Sequence, residues 1–420
     1  MPENLLDDSR VTGRLPAVLA TMQSRAASAQ ERGILTAART TTAAWPTVVH
    51  VVVAGECGGA ERFLVELASR PHQTRAHHVI ALMTPSGRLA RLFRDAGLRV
   101  HDRGRVRENP ISYLWRSLAW PDVHWLADIM RREHAAIAHL HTFQSHVVGT
   151  RAARLAGARV LRTEHDTRYF VDPSCSVFTR WSLRRADATI AVSSSVERFM
   201  RAELRDVTCP VRTIRNGVDS RYFTPPQSER EPSGRPFTFG VLSRLEPVKQ
   251  VHLVLQAIAR VEGARLSVVG DGSELPRLRR LADTLRVRDR VTFHGFKSDP
   301  REIMGTIDVV VSASSSEALG LSLLEAQAMG RPVIAFGVGG VPEVVVDGLT
   351  GWVLPGRSVT ALATCMAEAC SAPSRAREMG INARSYVESE HAIDRMCSSY
   401  ADVYAQLDER AGRPRSLRIV

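Results

Sequence analysis

Two carboxylates, Glu317 and Glu325, flank the start of an apolar helical pattern within the stretch Ser314–Gly356. A carboxylate accepts hydrogen bonds, so the pair suits the hydroxyls of a sugar and a ribose. Between them, Gly320 lets a backbone come close, and Leu321 and Ser322 open a helix whose first N–H groups have no partner inside it. Such a helix start is an anion site suited to a diphosphate. The helix, Leu321 to Met329, ends at Gly330 and runs into a buried strand, Val333–Phe336, and then the glycine loop Gly337–Gly340. A diphosphate site beside two hydroxyl-binding carboxylates describes a pocket for a nucleotide sugar.

The cations for that diphosphate lie in Ser243-Arg244-Leu245-Glu246-Pro247-Val248-Lys249, just after an expected strand. The chain has only two lysines, Lys249 and Lys297; its other basic side chains, histidine aside, are arginine. A lysine retained in such a chain marks a place that needs a compact point charge rather than a planar fork. Arg244 and Lys249 would neutralise a leaving diphosphate, a task otherwise given to a metal ion. No metal and no cofactor is therefore expected. A second glycine loop, Gly55-Glu56-Cys57-Gly58-Gly59-Ala60-Glu61, follows the first strand and opens a helix, so Gly58 and Gly59 could admit phosphate to backbone N–H groups. Glu61 reads as a carboxylate at a helix start, favoured by the dipole. Gly270-Asp271-Gly272 reads both as an Asp-Gly turn and as a loop lining the nucleotide side. His139, His141 and His146 cluster near one strand end, but no Cys, Asp or Glu completes a ligand set, and metal binding is not expected.

These motifs together resemble the retaining family 4 glycosyltransferases (glycosyl transferases group 1), over roughly Val48 to Tyr404. The family core reads Glu-Gly-Phe-Gly, then Leu-Glu-Ala, then GG-x-x-E. Here the first block is Glu317-Ala318-Leu319-Gly320, with Ala318 and Leu319 in place of Gly and Phe near the sugar. The resemblance implies a GT-B fold: two facing Rossmann-like α/β domains with a cleft between them. It implies transfer of a hexose-type sugar from a nucleoside diphosphate to an acceptor hydroxyl, with retention at the anomeric carbon. It implies that Glu317 binds the sugar and Glu325 the ribose, and that Arg244, Lys249 and the N–H groups near Leu321 and Ser322 hold the diphosphate. Gly58, Gly59, Gly270, Gly295 and Phe296 would line the donor; the His294-Gly295-Phe296 segment matches a base-binding backbone. His165 matches a histidine facing the donor sugar, and His141 the second histidine of an H-x-H segment on the acceptor side. Two other readings remain at this point: a GT-B sugar-nucleotide epimerase, and a non-catalytic basic binding protein.

The elements that must carry these residues alternate. Apolar runs at Val48–Ala54, Val79–Met83, Ile137–His141, Arg159–Thr163, Thr189–Val192 and Val211–Ile214 read as buried parallel strands separated by helices. A second set lies at Thr238–Leu242, Leu266–Val269, Val291–Phe293, Ile307–Val311 and Val333–Phe336. The expected layout is a variable extension over residues 1–46, an acceptor-binding domain over 47–223, a Pro-rich linker at Thr224–Pro236, a donor-binding domain over 237–384, and a tail helix over 385–410 that, in the family, packs back on the first domain. Ser193–Ser195 reads as a helix N-cap and Asn216–Asp219 as an interdomain turn.

Formal net charge is +12. No nucleic-acid motif accompanies it, so the expected partners are a nucleotide sugar, a hydroxyl acceptor and an anionic membrane surface. The membrane face would be the basic stretch Arg151, Arg154, Arg159, Arg162, Arg168, Arg180, Arg184 and Arg185. The aromatics Tyr113, Trp115, Trp120 and Trp125 read as packing residues on two short helices split by Pro121. Six scattered cysteines, a polar N-terminus and no long apolar run predict a cytoplasmic protein, peripheral at the inner face of the plasma membrane.

Overall fold

A computed structural model of the chain describes residues 45–53, 58–83, 87–104, 120–204, 209–226 and 235–411. The expected extension before residue 45, the loop residues Gly55-Glu56-Cys57, Tyr113, Trp115 and most of the Pro-rich linker lie outside the described residues.

Two parallel sheets organise the rest. The first contains β1 (Thr47–Val52), β2 (His77–Leu82), β3 (Arg99–Asp102), β4 (Ile137–Leu140), β5 (Arg159–Glu164), β6 (Ala188–Ala191) and β7 (Val211–Thr213). Their spatial order is β3-β2-β1-β4-β5-β6-β7. The second contains β8 (Thr238–Leu242), β9 (Arg265–Val269), β10 (Val291–Gly295), β11 (Val309–Ser312), β12 (Val333–Phe336) and β13 (Gly351–Leu354), in the order β10-β9-β8-β11-β12-β13. Both orders run outward from their first strand in both directions, as in a doubly wound fold, and put ligands at the carboxyl ends of the strands where the order reverses. Those ends carry Gly58, His141 and His165 in the first domain, and Arg244 and Glu317 in the second.

The apolar runs are buried on both faces, as parallel strands with flanking helices require: β4 and β12 are buried at every position. β3 and β13 were not expected. Both are outer strands: RVHD has a single apolar residue, and GWVL has an apolar run of only three residues after its glycine. The first of the two short helices expected around Pro121 falls before Trp120, outside the described residues. Pro121 sits in the first described turn of Trp120–Arg132, a position a proline tolerates at a helix start. The tail is two helices, Pro373–Glu390 and Ile393–Ala411. Met396, Tyr400, Tyr404 and Leu407 of the second are buried in the first domain's core with Phe63, Leu67, Ile80 and Leu161. The chain crosses itself at this break: a Cβ on Gly217 would lie 2.8 Å from the Ala392 carbonyl oxygen, so only glycine fits.

Two arginines expected on a basic membrane face are interior. Arg162 is fully buried against the equally buried Glu164 at 2.6 Å, and Arg159 is buried beside Asp187. A charge inside a strand that pairs with a neighbour on the same face is a structural ion pair, removed from solvent as a unit.

Candidate functional site

The second domain brings its expected residues together. Lys249 ends a short 3-10 turn, Pro247–Lys249, after β8, and its Nζ lies 2.5 Å from Glu317 Oε1. Ser314 Oγ donates to the same oxygen at 2.8 Å. Gly320, at φ +99°, caps the Leu321–Ala328 helix in the left-handed region. Among the described residues, the backbone N–H groups of Leu321 and Ser322 have no hydrogen-bond partner. Arg244 is exposed and, among the described residues, has no ion pair. The glycines hold this chemistry in place. Gly270, at φ +140°, would put a Cβ 1.8 Å from the Ser243 carbonyl oxygen, and Gly339 would put one 2.0 Å from that of Glu317. Both loops thus lie backbone to backbone against the segments that present Arg244 and Glu317. Asp271 is part of that turn, its carbonyl oxygen accepting from the Leu245 N–H at 2.8 Å.

The first domain faces this half across a cleft. Gly58 precedes the helix Gly59–Ala68, and its N–H donates to Glu61 Oε2 at 2.8 Å. Glu61 is buried, which pushes its carboxyl up, while the backbone N–H groups and Arg244 pull it back. A Cβ on Gly58 would lie 3.8 Å from Arg244 Nε, and one on Gly59 3.6 Å from Leu321 Cδ1. The two glycines therefore stand opposite the anion site.

Glu325 occupies an unexpected place. Arg62 Nη1, from the first-domain helix, donates to both its oxygens at 2.8 and 3.0 Å, and Arg62 Nη2 donates to the Ser298 carbonyl at 3.1 Å. Burial, the largest influence, raises the Glu325 carboxyl; Arg62 opposes the rise and Glu66 adds to it. Gly295 is at φ +70°, and Phe296 is exposed with the Arg88 guanidinium 5.2 Å over its ring.

His141 and His165 stand one residue beyond β4 and β5, 5.8 Å apart between ring centroids, with Phe63 against both. His141 Nδ1 and His165 Nε2 are buried without a hydrogen-bond partner. Burial holds His165 neutral, its pKa lowered to about 3. Asp166 works weakly against that shift and is itself tied to Arg168 Nε at 2.6 Å. His50, His139 and His141 offer nitrogens within 4.8 Å of one another. Both nitrogens of His139 are engaged by the Tyr404 and Thr163 hydroxyls, and both of His50 by His78 and His141, so hydrogen bonds close this cluster.

Comparison with known proteins now decides the family. The model for glycosyl transferases group 1 matches residues 225–386, and that for Glycosyltransferase Family 4 matches residues 57–222. The GDP-mannose-dependent α-(1-6)-phosphatidylinositol monomannoside mannosyltransferase of Mycobacterium tuberculosis is 31% identical over 373 residues, 82% of this chain and 94% of that protein. The chain belongs to the group 1 glycosyl transferases. The N-acetyl-α-D-glucosaminyl L-malate synthase of Bacillus anthracis is 29% identical over 308 residues, 69% of this chain and 80% of that one. The HepE structure from Anabaena, solved with UDP and glucose, superposes with a TM-score of 0.76 at 21% identity, covering 86% of this chain and 100% of that one. That likeness shows the GT-B fold.

In this glycosyltransferase the sequence did not point to Arg62, His50 or Glu343. Arg62 follows the Gly-Gly-Ala-Glu motif directly. His50 is the polar break in the apolar strand TVVHVV. Glu343, the acid of the GG-x-x-E segment, accepts from the Ser194 and Ser195 N–H groups at 2.9 and 2.7 Å, and from Arg215 Nε at 3.2 Å. It caps a first-domain helix from the second domain. Ser193 is the expected N-cap of that helix, accepting from the Val196 N–H, and its hydroxyl also reaches the Ala318 carbonyl at 2.6 Å.

Proposed function

We propose that the protein transfers a hexose-type sugar from a nucleoside-diphosphate sugar to an acceptor hydroxyl, with retention and without a metal ion. The observation that carries this reading is the group of Lys249, Glu317, Ser314, Arg244 and the open N–H groups of Leu321 and Ser322 around one helix start. Lys249 and Arg244 neutralise the diphosphate as it departs, and the N–H groups receive its oxygens. Glu317 holds sugar hydroxyls. Glu325 takes the ribose in exchange for Arg62. The acceptor approaches from the first domain beside His141 and His165. The acceptor proton leaves on the side of the departing diphosphate, which acts as its base. The relatives support a hydroxyl-bearing, negatively charged acceptor, since their names give phosphatidylinositol monomannoside, D-inositol 3-phosphate and L-malate.

The test is a matrix of UDP-glucose, UDP-N-acetylglucosamine and GDP-mannose against those three acceptors, with the anomeric configuration of any product read by NMR. Transfer with inversion, or release of an epimerised sugar nucleotide without acceptor, refutes the reading.

A membrane-facing surface belongs to the same proposal, as does a location at the inner face of the plasma membrane. No helix of the described residues is long and apolar enough to cross a membrane. Trp120, Val171 and Val177 are exposed at 56%, 56% and 69%, and Arg151 lies 4.6 Å over the Trp120 ring. Arg154 and Arg184 are close enough to Arg185 for their like charges to lower its pKa, after burial. Exposed apolar side chains beside arginines suit an anionic bilayer surface. Co-sedimentation with phosphatidylglycerol vesicles but not phosphatidylcholine vesicles, lost in Val177→Asp, is the expected result; equal binding to both removes this surface.

A further inference from the structure

Three buried histidines outside the donor pocket form one continuous hydrogen-bonded line. Thr74 Oγ1 lies 2.7 Å from His78 Nε2, His78 Nδ1 lies 2.8 Å from His50 Nε2, and His50 Nδ1 lies 2.9 Å from His141 Nε2. Each ring points Nε2 toward its partner on the Thr74 side or, for His141, toward His50; each Nδ1 points onward. The line ends at His141 Nδ1, buried and without a partner, at the carboxyl end of β4.

Neutral imidazoles in such a line cannot choose their tautomers independently. Each carries one N–H, and each shared bond needs one donor and one lone pair. Burial, above all, keeps His50, His78 and His141 from charging. One end therefore sets every proton. Thr74 Oγ1 lies 2.9 Å from the Arg70 carbonyl and 3.4 Å from that of Pro71, so its hydrogen points to carbonyl oxygen and its lone pair is left for His78. His78 must then donate through Nε2 and accept at Nδ1 from His50. His50 must likewise accept at Nδ1 from His141. His141 is protonated on Nε2, and its Nδ1 is a bare lone pair. The opposite polarity would leave an N–H donor buried and unpaired, the rarer of the two deficits.

We propose that Thr74, His78 and His50 are positioning residues that fix His141 as an obligate hydrogen-bond acceptor, and that His141 Nδ1 orients the acceptor by accepting from a second O–H beside the attacking one. This rests on the transferase reading above. It adds a requirement for a donor group at that point of the acceptor, water included. No proton is transferred to His141: the attacking hydroxyl loses its one hydrogen on the diphosphate side, and in hydrolysis water gives one hydrogen to that side and points the other at His141.

Two measurements test it. The first needs no substrate: ring-nitrogen NMR of histidine-labelled full-length protein, with His50, His78 and His141 assigned by single substitutions. The expected result is Nε2–H on all three; a proton on Nδ1 of His141 overturns the proposal. The second uses hydrolysis of UDP-glucose and GDP-mannose as probes, with water as the attacking hydroxyl. His50→Phe keeps a ring but cannot donate or accept, so kcat should fall about tenfold with the KM for sugar nucleotide unchanged. His50→Gln can accept from His141 and donate to His78, and should restore most of the loss. If His50→Phe proves unfolded, His78→Phe, nearer the surface, makes the same cut. A folded cut variant with unchanged kcat, or a His50→Gln no better than His50→Phe, overturns the proposal. Should neither nucleotide be hydrolysed, the transferase reading is at fault and the NMR result still decides the histidine line.

Discussion

Removing Arg62 should destabilise the protein in a way that depends on pH through the Glu325 carboxylate. Arg62 and Glu325 join the two domains with a two-pronged ion pair whose side chains are 30% and 9% exposed. Charge-assisted hydrogen bonds contribute about 1.5–3 kcal/mol when buried, and surface pairs about 0–1. With one partner partly in water, about 1–2 kcal/mol is the expected contribution at neutral pH. The sign with pH follows from Glu325. Its folded pKa is raised above the ordinary 4.5, chiefly by burial. A raised acid contributes stability that is present below 4.5 and lost as pH rises through the folded value. Arg62 opposes that rise, so in Arg62→Ala the folded pKa climbs further and more stability is lost at pH 7. Below 4.5 Glu325 is neutral in both proteins and the ion-pair difference disappears. Thermal melts of wild type and Arg62→Ala from pH 4 to 8 should diverge as pH rises, by roughly 2–4 °C per kcal/mol. Arg62 also donates to the Ser298 carbonyl, and that loss is independent of pH. The double-mutant cycle with Glu325→Gln removes it: in the Gln background the pH-dependent part should vanish. A Tm difference that stays constant from pH 5 to 8, or a cycle with no coupling, refutes the argument.

Lys249→Ala should lower turnover by on the order of a hundredfold, as loss of one partner for developing charge does; an unchanged rate in a folded variant removes Lys249 from the site. Transfer should survive excess EDTA, and activity abolished by EDTA and restored by magnesium or manganese refutes the cation-only account. In calorimetric titrations, Glu325→Gln should weaken the bare nucleoside diphosphate, whereas Glu317→Gln should leave that affinity nearly intact and lower transfer; equal weakening by both means the roles are wrongly assigned. Gly270→Ala should destabilise the second domain by about 1–3 kcal/mol from backbone strain alone and more from the clash with Ser243, read by urea melts against Gly97→Ala, whose Cβ meets open space.

The sequence was legible where one residue type does one job. Central strands such as Val333–Phe336 show as apolar runs because both faces are covered. The helix start at Gly320 and the cations after β8 show because anion binding needs few residue types. What escaped was set by distant packing. Arg62 and Glu325 are 263 positions apart, so nothing in either neighbourhood reveals the pair. Arg162 read as surface charge because most arginines are, yet its partner Glu164 lies two residues on, on the same face of the strand. His50 was hidden for the converse reason: one polar residue in an apolar strand carries no spacing to interpret.

The pairing of Lys249 with Glu317 gives the lysine a reason to persist in an arginine chain. Its ammonium has three donors and no acceptor. Glu317 Oε1 takes one at 2.5 Å, and the remaining two are free to meet diphosphate oxygens while the first still fixes the glutamate. The side chains are only 19% and 13% exposed, so there is little room beside them. A guanidinium holding Glu317 bidentately would spend its fork on the carboxylate and turn a plane, not a point charge, toward the anion. Lys249→Arg should therefore keep the charge and the fold yet fail to restore the alanine variant's lost turnover, while donor affinity falls less than rate. Full activity in Lys249→Arg would mean that charge alone is required, and that the retained lysine owes nothing to the shape of its site.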